Sequence, residues 1–129
     1  MGNPFDYHTF MWGDRAATPN TFTQVMNGPQ DATLLLIDTP PRPDQQSDAW
    51  VGAAQALGAA AQATNRRGVV VATLPECVTA DVRAAARAAK LVVLQGLHEA
   101  LAALDAAAWL GANAPGQSLL RWLHQRRPN

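Results

Sequence analysis

The sequence predicts a small α/β domain of flavodoxin-like type, an open parallel sheet with helices on both faces. Three observations predict it. Short apolar runs at 33–37, 68–72 and 90–94 alternate with alanine-rich blocks at 49–63, 80–89 and 100–108. The runs are too short for helices, and two are rich in β-branched valine, whereas alanine favours helix. The runs are also continuous rather than alternating in polarity, as expected of strands covered on both faces. The order strand, helix, strand, helix, strand, helix then implies parallel pairing with right-handed crossovers. Three clear strands make a small or incomplete sheet, since self-contained versions usually hold about five or more. Either the first 30 residues or so contribute, or the chain is a piece of a larger domain whose first strands lie upstream.

Local chemistry marks the elements in turn. A short helix is expected over 19–27, with Thr18 as cap, Pro19 in its first turn and Gly28-Pro29 ending it. The first strand leads into Asp38-Thr39-Pro40-Pro41-Arg42-Pro43-Asp44, where proline forbids helix or interior strand and leaves an extended loop. Ser47 or Asp48 can cap a helix over 49–64, whose stripe Trp50, Ala54, Leu57 and Ala61 has helical spacing, with Gly68 as its stop. Thr79 can cap the next helix, which presents Val82, Ala85 or Ala86, and Ala89. A last helix over 97–110 turns Leu97, Leu101, Leu104 and Ala108 to one side. The domain therefore runs over 1–112. Residues 113–129 form a linker and a short C-terminal helix or disordered tail, with Leu119, Leu120 and Leu123 beside Arg121, Arg126 and Arg127.

Charge and composition narrow the function classes. The 129 residues carry ten Lys+Arg and ten Asp+Glu, a formal charge of zero. Nucleic acid is not an expected partner, because phosphate-driven binding needs a basic surplus gathered on one face. Nor is a membrane, since no apolar run approaches the roughly 20 residues that span one. Asn3, Asp6 and Asp14 interrupt the start, so no signal peptide is read, and the lone Cys77 makes no internal disulfide. A soluble, cytoplasmic protein is the expectation.

The segment Gly2-Asn3-Pro4-Phe5-Asp6-Tyr7-His8-Thr9, then Asp31-Ala32-Thr33-Leu34-Leu35-Leu36-Ile37 leading to prolines, a valine-rich strand, and Leu94-Gln95-Gly96 before the helix from Leu97 to Ala108 together resemble the NDP-forming acyl-CoA synthetases. These are also known as ADP-forming acetate-CoA ligases and are related to succinyl-CoA synthetase. The resemblance covers about residues 2–112. It implies the latter part of the second flavodoxin-like ligase domain of an enzyme that also has a CoA-binding Rossmann domain and an ATP-grasp domain. Those parts are the implied partners, and CoA, ATP or ADP and magnesium are the cofactors of the parent enzyme rather than of this chain. Such enzymes pass phosphate through a phosphohistidine in a Ser-His-Thr-Gly-like motif further upstream, which this sequence lacks, so the chain alone is expected to be inactive.

The remaining chemistry-bearing residues admit plainer readings. His8 lies two positions from Asp6, and a carboxylate can orient an imidazole; His8 reads more simply as a loop histidine. Asn3, Asp6 and His8 can alternatively line the edge of an assembled phosphate or acyl site. Asp38, at a strand's carboxyl end, invites comparison with the phospho-acceptor of receiver domains, yet Gln95-Gly96 stands where a receiver has Lys-Pro. Glu76 is a candidate general base or a solvated loop carboxylate, and Cys77 has no neighbouring base to form a thiolate. The Gly96 and Leu97 amides can form an anion site at a helix start. No metal-ligand spacing is present, so no metal is assigned. Trp50 and Trp109 have core or interface explanations, the latter compatible with a homo-oligomer. Arg66-Arg67 reads as a solvated end. A catalytically inactive interaction or dimerisation module is thus the alternative to a ligase component.

Overall fold

The computed structural model describes residues 2–7, 11, 13–14, 16–40 and 47–113. Helix α1 (Ala17–Met26) precedes β1 (Ala32–Leu36), α2 (Asp48–Thr64), β2 (Arg67–Ala72), a 3-10 turn (Pro75–Cys77), α3 (Ala80–Ala88), β3 (Val92–Gln95) and α4 (Leu97–Ala112). The strands form one open parallel sheet in the order β1-β2-β3, an α/β arrangement of flavodoxin-like type. The chain divides into two compact units, Met1–Leu97 and His98–Asn129.

In the first unit, side-chain alternation decides what each strand residue meets. Leu35 within β1 and Ile37 just after it, Val70 and Ala72 of β2 and the partly buried Val93 of β3 join one core. Onto it pack Phe22 and Met26 of α1, Ala54 and Leu57 of α2, and Val82 and Ala86 of α3. Two right-handed crossovers that step the same way along a sheet put their helices on the same side, and α2 accordingly packs against both α1 and α3. The opposite side of the sheet carries Val69 and Val71, both buried, and Leu36 and Val92, which are 49% and 55% exposed.

Small residues allow the helices to approach closely. A Cβ built on Gly58 of α2 would lie 2.4 Å from the Ala89 Cβ at the end of α3. A Cβ on Gly68 would lie 2.9 Å from Leu91 Cδ2 and 3.1 Å from Leu57 Cγ. Gly68 is therefore part of β2 beneath α2, and not the stop of α2 that the sequence suggests. That stop is Asn65, in the left-handed region at φ 53°, with Arg66 N donating to Ala61 O at 3.1 Å.

Other boundaries shift for equally local reasons. Helix α1 starts two residues before the expected position because Asp14 caps it, its Oδ1 accepting from Ala16 N and Ala17 N at 2.9 and 2.8 Å. Thr18, the expected cap, is buried and donates its hydroxyl to Met11 O. Ser47 and Thr79 stand at the N-cap positions of α2 and α3, but neither hydroxyl caps a helix amide. Strand β3 begins at Val92 rather than Lys90, because Lys90 closes α3 in the left-handed region, at φ 59°.

In the second unit α4 extends to Ala112, two residues past the expected end. Ala100 is its one buried residue, so the expected stripe is not the covered side: Leu101 is 53% exposed. The expected linker and C-terminal helix beyond Asn113 lie outside the described residues. No helix among the described residues is long and apolar enough to cross a membrane.

Candidate functional site

Ligands of open α/β sheets bind outside the carboxyl ends of the strands. Here that edge is formed by Asp38 after β1, Thr73 after β2 and Gln95-Gly96 at the end of β3. Thr73 donates both its backbone amide, 2.8 Å to Asp38 Oδ1, and its hydroxyl, 2.7 Å to Oδ2. Both carboxylate oxygens of the candidate phospho-acceptor thus already serve as acceptors.

The segment between β2 and α3 is strapped from both flanks. Thr39, almost fully buried, donates its amide and its hydroxyl to Cys77 O, each at 2.9 Å, and accepts from Thr79 N at 3.2 Å. From the β3 side, Gln95 Nε2 donates to Pro75 O, while Gln95 Oε1 accepts from Arg83 Nη1 at 2.9 Å. Arg83 Nη2 reaches Val78 O at 3.3 Å. With its carbonyls held on both sides, the turn presents Leu74, Pro75 and Glu76 outward as a fixed, exposed tip.

Electrostatics at this edge favour protonated sulfur. Partial burial pushes the Cys77 thiol above its ordinary value of 9.0, and the Asp38 and Glu76 carboxylates add to the rise. A thiol held neutral is a poor nucleophile. Asp81, in the first turn of α3, is held below its ordinary 3.8, chiefly by the hydroxyl of Ser47.

The sequence-derived candidates do not converge. Glu76 sits exposed on the strapped turn, and Asn3 and Asp6 are exposed in the N-terminal segment. His8 lies outside the described residues. Gly96 has φ 85°, a left-handed conformation natural only to glycine, which turns β3 into α4. Its amide donates to Ala72 O at 3.0 Å, so that half of the expected anion-binding pair is already engaged. Among the described residues no group of three His, Cys, Asp or Glu side chains is placed to hold a metal ion.

A second concave feature was not foreseen. A cavity of about 830 Å³ lies where the N-terminal segment and the start of α1 meet α2, with Tyr7, Asp14, Thr18, Asp48, Gly52 and Ala56 in its wall. Tyr7 is fixed there by an edge-on contact with Phe22, the ring centroids 5.1 Å apart. The repeat of small residues Ala49, Gly52, Ala56 and Ala59 was its legible signal, a stripe with no bulk to fill the groove. The strap residues Thr39, Thr73, Arg83 and Gln95 were likewise missed, since only the tertiary fold brings them together. In comparison with known proteins, the chain matches no family model, no curated protein and no solved structure.

Proposed function

We propose that the chain is a ligase domain, or the larger part of one, of an NDP-forming acyl-CoA synthetase. In the parent enzyme acyl-CoA, phosphate and ADP give the free acid, CoA and ATP through a phosphohistidine that lies outside this chain. CoA, ATP or ADP and magnesium would be held by the other parts of that enzyme. The role assigned to this domain is to pack against the CoA-binding and ATP-grasp parts and to form one wall of the reaction chamber.

The observation that carries the reading is the strapped carboxyl edge of the sheet. Asp38 and Thr39 on one flank and Arg83 and Gln95 on the other fix the segment 73–79 by seven hydrogen bonds, five from the first pair and two from the second, without engaging the exposed Glu76 side chain. A rigid rim at the ligand-binding end of an open sheet suits a wall that meets other domains. The Asn3-Pro4-x-Asp6 resemblance at the start of the chain supplies the family. The half-exposed Leu36 and Val92 favour a second reading, an interaction or dimerisation module without a reaction of its own.

The deciding experiment mixes the chain with the CoA-binding, phosphohistidine-bearing and ATP-grasp parts of such a synthetase and measures CoA-dependent nucleotide turnover. The ligase reading expects turnover that needs this chain. Turnover absent from the complete mixture, together with a homodimer indifferent to CoA and nucleotide, would establish the second reading instead.

A further inference from the structure

We infer that the edge formed by the amino ends of the strands is a docking surface for an acidic polypeptide segment, gripped by Arg66, Arg67, Arg87 and Lys90. The inference is independent of the ligase reading. Because the three strands are parallel, their amino ends share one edge, and α2 and α3, running the opposite way, end there too. Arg66 and Arg67 follow the cap of α2, Arg87 lies in the last turn of α3 and Lys90 follows it. Arg67 opens β2, paired with Ala32, and Lys90 lies two residues before the start of β3, so both stand at this edge.

All four cations are exposed, and none makes an ion pair or a side-chain hydrogen bond among the described residues. Asp31, immediately before β1, is an acid at this end. The opposite end collects Asp14, Asp38, Asp48, Glu76 and Asp81, with Arg83 there spent on Gln95 and Val78. Among the described residues of the first unit, cations thus gather at one end of the sheet and acids at the other.

Helix dipoles account for part of this arrangement, since cations are favoured at helix carboxyl ends. Lys90 adds a backbone conformation of its own. Its φ of 59° is a conformation that glycine or asparagine adopts at a helix end, as Asn65 does at the end of α2. Lys90 thus holds its charge at this edge in a strained backbone position, beside three exposed arginines.

The donors left over define the partner. Compact phosphate sites rest on backbone amides, but here the amides of Asn65, Arg66, Ala89, Lys90 and Leu91 all donate to carbonyls of the helix ends. What remains is a row of flexible side-chain cations, matched to spaced carboxylates rather than to one phosphate. The zero formal charge leaves the chain without the basic surplus that a nucleic acid requires.

The test is fluorescence anisotropy of a labelled deca-glutamate peptide with the full chain at low and high salt. Binding is expected at low salt, weakening steeply as salt rises, and about tenfold weaker in Arg66→Gln/Arg67→Gln/Arg87→Gln/Lys90→Gln. The Arg66→Gln/Arg67→Gln pair alone, at two exposed positions, is expected to show a smaller loss and serves if the fourfold variant fails to fold. Glu76→Gln, at the far end, is expected to leave binding unchanged. No binding at low salt overturns the proposal. Undiminished binding in the variants also overturns it, and moves the interaction to Arg121, Arg126 and Arg127. Stronger competition by tripolyphosphate or by a single-stranded oligonucleotide than by free peptide overturns the choice of partner.

Discussion

Thr73 donates twice to Asp38, with its amide to one carboxylate oxygen and its hydroxyl to the other, at 2.8 and 2.7 Å. The pair ties the end of β1 to the end of β2 at the edge where the sheet meets ligands or neighbours. Asp38→Ala removes both acceptors, and at an exposed site such hydrogen bonds contribute about 1 kcal/mol or less each. The expected outcome is a modest drop in thermal midpoint with faster amide exchange over 73–79. Since a phospho-acceptor oxygen must be free to attack, incubation with acetyl phosphate and magnesium is expected to leave the mass of the protein unchanged.

Gly58 and Gly52 lie on the same helix and respond in opposite directions to the same substitution. At Gly58 a new Cβ meets the Ala89 Cβ at 2.4 Å, a methyl fixed to backbone that cannot swing aside. Gly58→Ala is expected to destabilise by about 1–3 kcal/mol despite the better helix propensity of alanine. Ala89→Gly in the same chain is expected to restore much of the loss. At Gly52 nothing lies within 4 Å, so Gly52→Ala is expected to stabilise by up to about 1 kcal/mol. Chemical denaturation of the three variants reads both signs.

These contrasts show which parts of the fold were legible in the sequence. Continuous apolar runs located all three strands, and the stripe containing Ala54 and Leu57 located the covered face of α2, because burial imposes a periodicity that one chain displays by itself. The ends were less legible. Asp14 displaced Thr18 as the cap of α1, and Lys90 took a helix-end conformation that its side chain does not favour, both decided by tertiary surroundings. The straps at Thr39 and Gln95 join residues 38 and 20 positions apart, a distance over which no local pattern operates. The cations gathered at the amino edge were visible singly, but only the parallel sheet brings Arg67 and Lys90 to one edge.

Two carboxylates at helix starts shape the response to acid. Asp81 is held below its ordinary 3.8 chiefly by the Ser47 hydroxyl, and Asp14 is held below it by the amides of Ala17 and Ala16. A depressed folded-state value means that each group contributes its stability above 3.8 and loses it as pH falls through the lower folded value. The thermal midpoint is therefore expected to fall as pH drops below 3.8, and Ser47→Ala is expected to shrink the share of that fall due to Asp81. A series of melts from neutral to acid pH measures both.

Cys77 responds at the other end of the pH scale. Its thiol is raised above 9.0 by burial first and by the Asp38 and Glu76 carboxylates next. The folded state therefore keeps its proton longer than the unfolded chain, and this contribution to stability, present below 9.0, is lost as pH rises through the folded value. Iodoacetamide at pH 8 is expected to modify the folded protein more slowly than the denatured one. Glu76→Gln removes one repelling charge and is expected to speed the reaction, as followed by mass.

Lys90 sets stability against charge at one position. Its left-handed φ of 59° costs a side-chain-bearing residue about 1–2 kcal/mol, part of which glycine recovers while adding freedom to the unfolded chain. Lys90→Gly is expected to stabilise the fold by about 0.5–1 kcal/mol in denaturant titrations. The same substitution removes one of the four cations at the amino edge, so binding of the deca-glutamate peptide is expected to weaken even as the thermal midpoint rises. Lys90→Gln separates the two effects, because it discards the charge and keeps the strain: it is expected to weaken binding to the same extent with no gain in stability. A Lys90→Gly protein that bound the peptide as well as the parent chain would assign the lysine no role beyond closing α3.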